Sequence, residues 1–106
     1  MQIKLYCRSD GQIPLDNWLS KLRGKRAKAK ILIRFDRILL GNFGDTKPVG
    51  EGVSELRINE GKGYRVYFGR KGKEIVLLLC GGDKSTQQSD IKLAKKYWRK
   101  YCEQSC

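Results

Sequence analysis

Histidine is absent from the 106 residues. That excludes a Ser-His-Asp or Cys-His triad, an imidazole general base and any His-ligated metal. Long apolar runs are missing too. The longest, Ile75 to Cys80, has strand length and falls far short of the ~18 residues of a membrane span. The opening Met1-Gln2-Ile3-Lys4-Leu5 holds no long apolar stretch, so no secretory leader is expected and the cytoplasm is the expected location. Cys7, Cys80, Cys102 and Cys106 form no C-x-x-C pair, which argues against a zinc site. All four are expected to be reduced, with Cys80 packing as a small hydrophobe in an apolar strand. Gly61-Lys62-Gly63 and Gly81-Gly82 are too short for a phosphate-binding glycine loop and read as turns. Neither a metal nor an organic cofactor is expected.

Acidic residues are scarce beside basic ones: 11 Asp and Glu face 23 Lys and Arg, for a net charge of +12. Such a surface attracts polyanions, nucleic acid first among them, then anionic lipid or an acidic protein. At this length residues 1–106 read as one domain able to bury its own core.

Residues 2–6 alternate with period two, as in a short strand. Pro14 suits a first helical position, and Leu15, Trp18, Leu19 and Leu22 follow at helical spacing, which predicts a helix over 14–22. A second helix is predicted over 25–40, with Ala27, Ile31, Phe35, Ile38 and Leu39 on one face and Arg26, Lys30, Arg34 and Arg37 along its flank. Gly41-Asn42 ends it. Residues 41–52, with four glycines and Pro48, read as a loop. Three strand-like runs follow, Val53–Asn59, Tyr64–Gly69 and Glu74–Cys80, joined by glycine-containing links of hairpin length. The last element is a helix over 86–101, with Ser85 or Thr86 as N-cap and Ile91, Ala94, Trp98 and Tyr101 inward. Lys92, Lys95, Lys96, Arg99 and Lys100 take its other side. The predicted fold is α+β, a small, mainly antiparallel sheet in the order β-α-α-β-β-β-α with the helical hairpin on one face.

Side chains alternate across a strand, which splits each meander strand into two sets. Leu56, Ile58, Tyr64, Val66 and Phe68 are expected to face the helical hairpin. Arg57, Arg65 and Tyr67 are then expected to emerge on the opposite, open face. Strands ~4.8 Å apart can bring two arginines onto one phosphate. Alternatively, Glu55 pairs with one of them and the set is solvated. The segment Gly81 to Gln87 precedes a helix start, whose free N–H groups suit an anion, and Lys84 adds charge there. Lys47, in the glycine-rich loop, can reach the same region.

The runs LDNWLSKL, RFDRILLGNFGDTKPVGEGVSELRI, GYRVYFGRKGKEIVLLLCGGDKSTQ and DIKLAKKYW resemble the addiction-module killer proteins. These form a HigB-like branch of the RelE/ParE toxin superfamily, close to the phage Gp49-like group. The resemblance implies the toxin of a toxin–antitoxin module with a small twisted sheet, two helices before it and one after. It implies a cognate antitoxin, commonly a helix-turn-helix protein, and for many members cleavage of messenger RNA on the ribosome. Another branch inhibits DNA gyrase, and a degenerate, merely antitoxin-binding module is a further alternative. Carried over, Arg57 and Arg65 match the basic sheet positions, and Lys84 matches the second lysine of a Lys-Lys pair whose first position here is Asp83. Tyr97 and Tyr101 occupy the stretch where some ribonuclease members carry a catalytic Tyr or His, at spacing that suits helix core.

RNA cleavage of this kind uses the substrate's own 2′-OH as nucleophile and needs no metal. Arg57 and Arg65 are the candidate transition-state stabilisers. Lys84 is a candidate base, since a lysine crowded by cations loses affinity for its proton, and Tyr67 is a candidate acid or stacking surface. Arg26, Lys30, Arg34, Arg37, Lys47, Lys92, Lys95, Lys96 and Arg99 are the candidate contacts to RNA and ribosome. No membrane contact is expected.

Overall fold

The computed structural model describes residues 1–104. Strand β1 (Gln2–Leu5) leads to helices α1 (Pro14–Lys21) and α2 (Lys25–Leu39). Strands β2 (Thr46–Gly50), β3 (Val53–Ile58), β4 (Tyr64–Lys71) and β5 (Ile75–Gly82) follow, then a single 3-10 turn (Lys84–Thr86) and helix α3 (Gln87–Gln104). The sheet order is β1-β5-β4-β3-β2, with β1 parallel to β5 and every other pair antiparallel. Among the described residues no helix is long and apolar enough to cross a membrane.

The two sheet faces carry two cores. Leu56, Ile58, Val66, Phe68, Val76 and Leu78 pack with Leu15 of α1 and with Ile31 and Ile38 of α2. On the other side Val53, Tyr67, Leu77, Leu79 and Cys80 pack with Tyr6 and with Ala94 and Tyr97 of α3. Strand β5 is thus covered on both sides, which is why its run is continuously apolar rather than alternating. Pro14 starts α1 where its missing N–H costs nothing. Helix α2 starts unfavourably, with Lys25 and Arg26 at the positive end of its dipole and no acid in its first turn. Glu60 offsets this by taking Lys30 at 2.6 Å and Arg26 at 3.4 Å.

Four expectations are corrected. Residues 41–52 are not all loop, because Thr46–Gly50 forms β2, paired to β3 through Lys47 with Glu55 and Pro48 with Ser54. Pro48 is admissible because β2 is an edge strand, with a register shift after it. The order is therefore β-α-α-β-β-β-β-α. Gly81 and Gly82 are not a turn but the end of β5, and Trp18 lies flat where a Gly81 side chain would be. The second sheet face is not open, since α3 covers it. Leu39, placed inward by helical spacing, is 44% exposed. In α3 the buried residues are Ala94 and Tyr97, with Ile91, Trp98 and Tyr101 packed beside them. Cys7 and Cys80 are free thiols, whereas Cys106 lies outside the described residues.

Candidate functional site

Antiparallel register sets Arg57 directly opposite Arg65 on β3 and β4. Their side chains nevertheless part. Arg57 turns to the Gly44-to-Thr46 side, where Nε and Nη2 donate to Asp45 Oδ1 at 3.3 and 3.0 Å. Arg65, 13% exposed, donates from Nη1 to the Gly63 carbonyl at 2.7 Å and lies 3.7 Å from Glu55. The expected convergence on one phosphate is thus absent from this arrangement: each guanidinium has a carboxylate of its own. Such pairing fixes direction and leaves the remaining N–H groups as donors.

Glu55 is the centre of the inner arrangement. It is 1% exposed and accepts from Gln87 Nε2 at 3.1 and 3.4 Å. Gln87 opens α3, so this contact ties the helix start to the sheet beside Arg65. Tyr67, expected on an open face, is instead fully buried, and its hydroxyl has no hydrogen-bond partner among the described residues. Burial, then the charges of Glu55 and Asp90, raise its pKa well above 10.0, against the opposing pull of Arg65. Tyr67 therefore cannot present an acid or a stacking surface to a substrate. Its place under α3 is set by the inward alternation of β4, the same alternation that was expected to expose it.

Lys84 is exposed and lies close to Arg65, because a side chain at Gly63 would touch both Arg65 Nη1 at 3.4 Å and Lys84 Cβ at 3.8 Å. Asp83 caps the 3-10 turn that precedes α3, accepting from the Ser85 N–H at 2.8 Å and from the Ser85 hydroxyl at 2.5 Å. These bonds from Ser85, aided by the charge of Lys62, hold the Asp83 carboxyl below its ordinary pKa. Lys62 also shares a groove with Lys21, Arg23 and Asp83. The inner end of the sheet thus gathers Arg65, Lys84 and Lys62 around Gly63.

Arg57 lies in a second groove of about 390 Å³ together with Lys30, Arg34, Arg37 and Asp45. Arg34 is committed structurally, with its guanidinium donating to the carbonyls of Arg57, Phe43 and Asp45 at 2.5, 2.9 and 3.1 Å. Burial lowers its pKa from 12.5, with Asp45 opposing. Lys30 and Arg26 are held by Glu60. Arg37 and Lys47 are exposed. On α3, Lys95 and Arg99 both reach Glu51 in the β2–β3 turn, at 3.8 and 3.3 Å, whereas Lys92 and Lys96 are exposed. The basic stripe read from sequence therefore divides into cations that staple the fold and cations that face solvent. Glu55 was visible in the sequence as a pairing partner, but Asp45 and Gln87 carried no signal, because each meets its arginine or carboxylate only through long-range folding.

Comparison with known proteins adds an independent line. A protein of Haemophilus influenzae, described only as uncharacterized, is 59% identical over 83 residues, covering 78% of this chain and 84% of that protein. The family model of phage-derived Gp49-like proteins matches residues 17–99, the span that contains α2, the whole β2–β5 meander, Arg57, Arg65 and Lys84. The chain belongs to the phage-derived Gp49-like family, which is associated with toxin–antitoxin modules.

Proposed function

We propose that this chain is the toxin of a type II toxin–antitoxin module, of the HigB-like and RelE-like kind, that cuts messenger RNA on the ribosome and is neutralised by a cognate helix-turn-helix antitoxin. The observation that carries the reading is the placement of Arg65 beside exposed Lys84 at the end of a strongly basic sheet. Arg65, aimed by Glu55 and the Gly63 carbonyl, supplies donors to a phosphate oxygen. Lys84 sits where it can meet the 2′-OH that attacks the adjacent phosphorus. Arg57 meets the chain from the α2 groove rather than from the same point. The exposed cations Arg37, Lys47, Lys92 and Lys96 serve as ribosome contacts, with Arg26, Lys30, Lys95 and Arg99 contributing once their carboxylates are displaced. Positioning by the ribosome supplies the alignment that the isolated protein lacks.

The test is induction of the chain in bacteria with pulse-labelling of protein and DNA synthesis. The reading predicts rapid loss of protein synthesis with cut messages, and relief by Arg65→Ala in a protein that still folds. A folded Arg65→Ala protein with full toxicity refutes this site. One observation favours a second reading, a non-enzymatic inhibitor of DNA gyrase: both arginines already hold carboxylates, and Tyr67 is sealed from solvent. Filamentation and a DNA-damage response, with messages intact, would select it.

A further inference from the structure

A further cleft lies away from Arg57, Arg65 and Lys84, none of which lines it. It has a volume of about 540 Å³ and runs between the segment after β1 and the outer side of α3. Its floor is the Tyr6–Tyr97 pair, stacked at 4.7 Å between ring centroids. Both residues are buried, so the floor is held in place by packing and offers little open ring face. Its walls carry Arg8 and Ser9 on one side and Lys96 and Lys100 on the other, with Glu103 at the lip.

The charges in this cleft are arranged differently from those elsewhere. Lys95 and Arg99 on the neighbouring side of α3 share Glu51 as their carboxylate. Lys92, Lys96 and Lys100 stand in a column at successive four-residue steps, and none forms an ion pair within the described residues. Like charges at that spacing repel and destabilise a helix. Arg8 shares the cleft with Lys96 and Lys100, with Asp10 at 2.8 Å as its own carboxylate. A ligand that brings negative charge relieves the repulsion, and Arg, Lys and Ser donors around a concave floor suit phosphate oxygens. Lys96 and Lys100 are about 6 Å apart along the helix axis, a spacing that suits successive phosphates of one strand. A membrane surface would need a flat, apolar-edged face rather than a polar cleft.

We propose that this cleft is a second phosphate-binding site, which takes the sugar–phosphate backbone of single-stranded RNA along the later turns of α3, away from the candidate catalytic residues at its start. The site deepens the RNA reading above without using its catalytic residues, and a chain that cuts nothing still shows it. The experiment titrates the full chain with a short labelled oligoribonucleotide by fluorescence anisotropy across a range of salt. Each single-strand phosphate contact contributes about 0.7 to the slope of log affinity against log salt, so K96Q/K100Q lowers the slope by about 1.4. Over one decade of rising salt the parent's affinity then falls about 25-fold further than the variant's. K95Q/R99Q removes the same formal charge from the same helix, but from cations already paired to Glu51, and is expected to change the slope by less than half as much. None of the four side chains belongs to either core, and circular dichroism checks the fold of each variant. Equal losses in the two double variants would mean a general charge effect and overturn the site, as would an unchanged slope in K96Q/K100Q. An unchanged RNA affinity combined with cleft resonances that still move on adding inorganic phosphate would assign the cleft to free phosphate and overturn the RNA assignment. Growth arrest is scored separately, so failure of the cleavage reading leaves this result standing.

Discussion

Gly69→Ala probes how tightly α3 is pressed onto the sheet. Gly69 is central: it pairs with Val53 on β3 and with Leu77 on β5, so its backbone is held from both sides. A methyl group built there would lie 2.3 Å from Trp98 Cε3, more than 1 Å inside the 3.4 Å at which ordinary contact begins. The indole must move, and it cannot slide freely, because it stacks on Tyr101 with centroids 5.9 Å apart and its Nε1 sits over Gly52. Overpacking of this kind costs about 1–3 kcal/mol. For a chain of this size that is a fall in Tm of about 5–15 °C. The informative arm is Trp98→Leu. With the indole gone, the three atoms nearest the methyl at 69 are removed, and alanine's better backbone entropy in a strand makes it the more stable choice by about 0.5–1 kcal/mol. The effect of the same substitution thus changes sign between backgrounds, which urea titration of the four proteins in a double-mutant cycle reads directly. A Gly69→Ala protein as stable as the parent, or an equal penalty in the Trp98→Leu background, would refute the packing argument.

Glu55→Ala is expected to cost about 3–5 kcal/mol, since it strands the largely buried Arg65 without its counter-charge, while Glu55→Gln, which keeps an oxygen for Gln87, costs less. Equal stability of both variants and parent in denaturant would remove Glu55 from its place at the centre. Burial, reinforced by Asp90, pushes the Cys80 thiol up to about 12, whereas Cys7 is exposed. A thiol reagent near pH 8 should therefore modify Cys7 rapidly and Cys80 only on unfolding, as peptide mass spectrometry will report. The same shift has a linkage consequence. Between the ordinary thiol value of 9.0 and about 12, the unfolded chain releases a proton that the folded chain keeps, so stability falls as pH rises through that window. Cys80→Ala should flatten this alkaline loss, and an unchanged alkaline slope counts against it.

Much of the frame was readable from residue pattern. The unbroken apolar run of β5 marked a strand covered on both sides, and Pro14, Gly41 and the helical spacings placed α1, α2 and α3 within a few residues. The same run already implied that no sheet face beside it was open, so the burial of Tyr67 was implicit in Leu77 and Leu79. β2 was hidden because TKPVG has one partner, one proline and no alternation of apolar residues. The direction of each arginine was hidden for a different reason. Register sets Arg57 and Arg65 side by side, but which way each leans depends on Asp45, Glu55 and Gln87, which arrive from three separate parts of the chain. Pattern reads backbone placement well, whereas charge pairing over long sequence distance is decided only by the folded whole.

The parallel pairing of β1 with β5 has a temporal consequence. Residues 2–5 find their partners only at 75–78, and Leu15 of α1 packs on the core that β5 completes. Contacts so far apart in sequence form late. During synthesis the first seventy-odd residues hold an unpaired strand and an uncovered helix, and the amino-terminal half gains its seat only after β5 has emerged. A polypeptide cut short before β5 therefore lacks the one strand that pairs with β1 and part of the core that seats α1.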